Sequence, residues 1–75
     1  MTIQQQIIEI LGLNATDPAV FNENLEVDAI YTWKGDVYCL HRGLDFPFCD
    51  LTQRGQKDLL QAVKTKNYVV DKTFQ

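Results

Sequence analysis

Three side chains in this sequence are of types that do thiol or metal chemistry: Cys39, His41 and Cys49. Cys39 and His41 would lie roughly 6–7 Å apart at Cα on one face of a strand. A nucleophilic thiolate also needs an oxyanion site, and 75 residues leave little chain for a substrate pocket. Zinc needs four ligands, usually with a close Cys or His pair, and this spacing is poor. We therefore predict no catalytic residue, no metal site and no cofactor, and keep a Cys/His thiol or metal site as an alternative.

Aromatic residues form a second group, within positions 31–48. The two predicted helices already supply aliphatic side chains to a small core, so some of these rings should be exposed. Exposed aromatic residues beside an arginine have the composition of protein interfaces. The sequence therefore predicts a non-enzymatic protein-binding module. Its binding patch would lie on the central hairpin and the 43–49 loop, and would contain Tyr31, Trp33, Tyr38, Arg42, Phe46 and Phe48.

Carboxylates flank the same hairpin. We predict an acidic rim formed by Glu26, Asp28, Asp36, Asp45 and Asp50. Such a rim would steer a basic protein partner towards the patch. It could equally mimic nucleic-acid phosphates, which makes a small phage or mobile-element inhibitor of a nucleic-acid-binding enzyme, of the anti-CRISPR kind, the alternative function. The plain structural alternative is an ordinary solvated edge that deters strand pairing.

Charge and hydropathy narrow the classes of partner. The net charge is −3 and the isoelectric point is near 4.8, so direct binding to phosphate backbones is not expected. There is no run of 18 apolar residues, and the N-terminus lacks a basic region before an apolar stretch, so we expect neither a membrane span nor a signal peptide. The expected location is cytoplasmic. A domain this small has a thin core, which oligomerisation would supplement.

The central stretch 25–42 must position the aromatic residues. It contains two β-prone runs, 25–33 and 37–42. Gly35 lies between them and can supply the positive φ that a tight turn requires. This pattern predicts a β-hairpin.

The loop length of this hairpin decides which side chains share a face. A two-residue loop pairs Tyr31 with Tyr38 and places Trp33 on their side. A three-residue loop would pair Tyr31 with Cys39 instead, because one slip moves a whole strand's side chains to the other face. We favour the two-residue loop because it gives one clearly apolar, aromatic face.

Helical spacing of apolar residues predicts two helices, at about 3–11 and 51–66. Thr2 begins a capping box for the first, and either Asp50 or Thr52 can cap the second. Gly55 costs the second helix roughly 1 kcal/mol relative to alanine. Either another group approaches the backbone closely there, or the glycine is simply tolerated.

The remaining segments complete the predicted fold. A short helical turn is expected at 18–22, irregular extended chain at 43–48 and a third strand at 68–74. A right-handed crossover through the second helix would lay that strand parallel to the second hairpin strand, on the far side of the first. We therefore predict a single α+β domain, 1–75, in which two helices cover a three-stranded sheet of order 2-1-3.

Overall fold

The computed structural model describes residues 1–72, to which every structural statement refers. Two α-helices cover one antiparallel sheet of five strands, in the order β4-β3-β2-β1-β5. The helices are α1 (Ile3–Leu11) and α2 (Gln53–Lys64). The strands are β1 (Ala19–Phe21), β2 (Ala29–Trp33), β3 (Asp36–His41), β4 (Leu44–Pro47) and β5 (Tyr68–Val70), and a 3-10 turn at Phe48–Asp50 follows β4. The fold is α+β, but the predicted three-stranded sheet is wrong.

The helix α1 has the predicted bounds. The Thr2 hydroxyl accepts a hydrogen bond from the Gln5 amide at 3.0 Å, and the Gln5 side chain accepts one from the Thr2 amide at 2.9 Å. This capping box satisfies two amides that the first turn leaves unpaired. The apolar stripe then places Ile7 in the core, fully buried.

The helix α2 is shorter than predicted at both ends. Thr52 is its N-cap, since the Thr52 hydroxyl accepts a hydrogen bond from the Gly55 amide at 3.0 Å. The same hydroxyl donates to the Glu26 carboxylate at 2.9 Å. A Cβ at Gly55 would lie 1.5 Å from Glu26 Oε2. The close approach predicted at Gly55 is therefore confirmed, and the group that approaches is Glu26.

The central hairpin has the favoured register. Lys34 and Gly35 form its loop, with φ angles of 49° and 79°, and Tyr31 pairs with Tyr38. Two consecutive positive φ angles define the turn type whose twist matches a right-handed strand pair. The three-residue loop is excluded.

Two strands were not predicted, and both have a physical reason. Residues 18–22 were expected to form a helical turn, but β1 is held on both sides, by β2 and by β5, whereas an isolated turn of helix gains little. A second two-residue turn, Arg42-Gly43, with φ angles of 51° and 79°, returns the chain as β4. Pro47 has no amide to donate to a sheet, but β4 lies at the sheet edge, where proline is tolerated.

The predicted third strand is present as β5, but its placement is wrong. It pairs with β1 and not with the first hairpin strand, β2, and it runs antiparallel rather than parallel to the second hairpin strand, β3. Strand β1 instead occupies the position beside β2 that the predicted order assigned to the third strand. Positions 73 and 74 of the predicted strand lie outside the described residues.

The core lies on one face of the sheet, the inner face, where α1 packs on α2. The buried apolar residues that form it are Ile7, Ala19, Phe21, Val27, Ile30, Val37, Cys39, Phe48, Leu59, Ala62 and Val63. Within residues 1–72, neither helix packs on the opposite face, which we call the outer face.

Candidate protein-interaction surface

The outer face is assembled by strand register. Because side chains alternate along a strand and paired residues point the same way, one register fixes the composition of the whole face. Its members are Val20, Ala29, Tyr31, Trp33, Asp36, Tyr38, Leu40, Asp45, Pro47 and Val69. One row of them crosses all five strands, from Asp45 on β4 to Val69 on β5. The result is a continuous apolar and aromatic surface with two carboxylates.

A stacked tyrosine pair lies on this face. The Tyr31 and Tyr38 ring centroids are 5.4 Å apart, with an interplanar angle of 20°. The Tyr31 hydroxyl donates a 2.5 Å hydrogen bond to Asp45 Oδ2 on β4. Partial burial, that hydrogen bond and the Asp45 charge together raise the pKa of Tyr31 to about 12. The phenol therefore stays protonated at neutral pH and acts as a hydrogen-bond donor.

Trp33 is the most exposed ring of the face, at 45%. It lies opposite Asp36, and the Lys34 ammonium nitrogen is 5.5 Å from the centre of its ring. This is the distance range of a cation–π contact. A large, exposed indole that adjoins other rings has the composition of an interface hot spot.

The backbone under Trp33 is held firmly. Thr32 is fully buried, and its hydroxyl donates to the Gly12 carbonyl at 2.6 Å and accepts from the Ala15 amide at 2.7 Å. The Asn14 side chain accepts a hydrogen bond from the Lys34 amide at 2.8 Å. The chain after α1 thus fastens the end of the hairpin from the side, which keeps the outer face in one arrangement.

The other predicted patch residues do not join this face. Phe48 is buried in the core at 3% exposure. Phe46 pairs with Cys39, so its ring lies half-buried against the core on the inner face. Arg42 is an exposed turn residue whose amide donates to Asp28. The structure therefore brings together Tyr31, Trp33 and Tyr38 only.

The predicted acidic rim is dispersed. Glu26 contacts the first turn of α2, and Asp28 accepts a hydrogen bond in the β3–β4 turn. Asp50 lies in the 3-10 turn. Only Asp36 and Asp45 belong to the outer face.

Of the two candidate thiols, Cys49 is exposed and Cys39 lies in an environment that disfavours thiolate. Cys39 is fully buried, and burial, with smaller contributions from Asp45 and Asp50, raises the pKa of its thiol to about 12. Very little thiolate, the nucleophilic form, is then present at neutral pH. Among residues 1–72, no group of three His, Cys, Asp or Glu side chains is placed to hold a metal ion.

Sequence reasoning missed the contribution of β1, β4 and β5 to the face. Val20, Pro47 and Val69 extend the aromatic strip into a five-strand surface. A glycine in a second short turn, at Gly43, was available as an indication of β4. The apolar triplet at 19–21 was the corresponding indication of β1.

Two grooves lie away from the outer face. One, of about 310 Å³, lies between the end of α1 and β5, and the other, of about 600 Å³, lies beside the start of α1. Neither is lined by Trp33 or the tyrosine pair.

In the described part of the chain, neither helix is long and apolar enough to cross a membrane. Comparisons with protein-family models, with curated proteins and with solved structures gave no significant match.

Proposed function

We propose that this chain is a non-enzymatic protein-binding module that docks a partner on the outer face of its sheet. The observation that supports the proposal is that, within residues 1–72, this apolar and aromatic face lies outside the core that the two helices cover. Burying such a surface against a partner is favourable in the same way as burying a core. Tyrosine and tryptophan are the side chains that most often dominate interface energetics.

Charge supports a partner with a basic surface. The chain carries a net charge of −3, and two carboxylates lie within the face itself, Asp36 and Asp45. Complementary charge raises association rates and disfavours wrong partners. A second copy of the chain would bring the same carboxylates, so a basic protein is the better match.

The inhibitor alternative has weaker support. An acidic mimic of nucleic acid needs its carboxylates to follow one surface, whereas Glu26, Asp28 and Asp50 are dispersed and two of them accept hydrogen bonds within the domain. Blocking of a nucleic-acid-binding enzyme stays a prediction, and it is one form that binding to a basic partner could take.

The test is a comparative affinity capture from a lysate of the source organism. The immobilised baits are the unaltered chain, Trp33→Ala and a matched control, Ile10→Ala. Ile10 is 42% exposed, close to the 45% of Trp33, but lies on α1. We expect a protein that both the unaltered chain and Ile10→Ala retain and that Trp33→Ala loses. Proteins retained equally by all three baits, or lost only with Ile10→Ala, would contradict the proposal.

A further inference from the structure

We propose that the outer face recognises an arginine side chain of the partner, which stacks on the Tyr31–Tyr38 pair and is held by the Asp45 carboxylate. This inference rests on the proposed function and specifies the chemical group that the face binds. It concerns three side chains brought together from three strands.

The tyrosine pair supplies the stacking surface. The two rings are near parallel, and both remain partly exposed. A planar guanidinium stacks on such a ring and is attracted by its quadrupole. Within residues 1–72, the Tyr38 hydroxyl has no hydrogen-bond partner, so it is free to contact an incoming group.

Asp45 supplies the charge at the edge of that stack. Its Oδ2 accepts the Tyr31 hydroxyl at 2.5 Å, which fixes the carboxylate beside the rings. A carboxylate has about four acceptor positions, so Oδ1 and the second lone pair of Oδ2 remain for a donor. The exposed position of Asp45 leaves these acceptors open to solvent.

The geometry favours arginine over lysine. Arginine presents a flat fork of N–H donors that matches a carboxylate and stacks on an aromatic ring at the same time, whereas an ammonium is a compact and strongly hydrated point charge. The nearby Trp33 ring already has a cation from the chain itself, Lys34. The tyrosine pair is the aromatic surface left for a cation of the partner.

The experiment is an NMR titration of the folded chain with three blocked tripeptides, in which glycines flank arginine, lysine or citrulline. We expect the arginine peptide to shift the resonances of Tyr31, Tyr38 and Asp45 and to bind about two- to fivefold more tightly than the lysine peptide. Citrulline has the shape of arginine without its charge and should bind most weakly.

Matched variants locate the site. Asp45→Asn and Tyr38→Leu should each weaken arginine binding about two- to fivefold. Asp36→Asn removes one carboxylate from the same face, opposite Trp33, and should change binding less than about twofold. The dispersion of the amide spectrum reports whether each variant is folded.

Several results would overturn the inference: equal binding of the lysine and arginine peptides, equal effects of Asp36→Asn and Asp45→Asn, or no saturable shift with the arginine peptide. Its failure is distinguishable from failure of the proposed function. If capture depends on Trp33 but the peptides show no preference for arginine, the protein-binding proposal is supported and the arginine proposal is contradicted. If the peptides show a preference for arginine but no protein is captured through Trp33, the arginine site is supported and the protein-binding proposal is contradicted.

Discussion

The two faces of the sheet use alternate residues of the same strands but meet different surroundings. Ile30 and Tyr31 are neighbours in β2, yet Ile30 is fully buried, whereas Tyr31 keeps contact with solvent. On β3, Cys39 is sealed beneath the helices, and Tyr38 stacks on the outside. The inner face carries mainly aliphatic side chains with Phe21 and Phe46, whereas the outer face carries Trp33 and the stacked tyrosine pair. Because both helices pack on the inner side, the aromatic strip on the other side has no helix over it within residues 1–72.

The largest loss of folding stability should come from a substitution on the inner face. Ile30→Ala removes a fully buried side chain and should lower the free energy of unfolding by about 2–5 kcal/mol. A core this small supplies only about 3–5 kcal/mol in total, so the variant should be largely unfolded. Urea unfolding followed by circular dichroism measures the change. Trp33→Ala is the outer-face control, and an equal loss in the two variants would contradict the separation of the faces.

A smaller loss is expected where the hairpin is fastened. Thr32→Val keeps the shape of the side chain but leaves the Gly12 carbonyl and the Ala15 amide without their partner. Leaving buried polar groups unpaired costs about 1–3 kcal/mol. Thr32→Ser retains the hydroxyl and should be the milder change in urea unfolding. If serine proved more damaging than valine, the methyl group rather than the hydroxyl would hold the site.

The contact between Gly55 and Glu26 allows a double-mutant test. In the Glu26→Ala background, Gly55→Ala should stabilise the chain by about 1 kcal/mol because alanine favours a helix. With Glu26 present, the new Cβ displaces the carboxylate from its place against the helix, so the gain should shrink or reverse. Equal effects in the two backgrounds, measured by thermal unfolding, would mean that the contact carries no energy.

The fourth prediction concerns folding stability at alkaline pH. The pKa of Tyr31 is raised from 10.0 to about 12 in the folded chain, so the folded state holds the proton more tightly than the unfolded state. The corresponding stabilisation is complete below pH 10 and is lost as pH rises towards 12. Cys39, raised from 9.0 to about 12, acts in the same direction. Tyr31→Phe should therefore show a shallower loss of stability above pH 10 than the unaltered chain, and parallel curves would refute the assignment.

Sequence reasoning reached the parts of this fold that short-range chemistry decides. The Thr2 capping box, the helical apolar stripe of α1 and the Lys34-Gly35 turn each depend on a few adjacent residues. The hairpin register followed from the two-residue Lys34-Gly35 loop. The tyrosine pair and Trp33 could accordingly be placed on one face in advance.

The wrong predictions concern strands whose formation depends on pairing between residues far apart in the sequence. Three residues cannot form a stable strand alone, and β1 exists because β2 and β5 pair with it from opposite sides. The position of β4 at an edge is what permits Pro47. Without β4, the alternation that sends Phe46 inward and Asp45 outward was not visible, so Phe46 and Phe48 were assigned to the patch.

Photo-crosslinking from the outer face tests whether a partner docks on this face. A benzoylphenylalanine residue at position 33, and separately at position 10 on α1, would be activated in a lysate of the source organism. We expect position 33 to give a discrete covalent adduct with a basic protein and position 10 to give none. An adduct from position 10 alone, or the same adducts from both positions, would contradict a docking surface on the outer face.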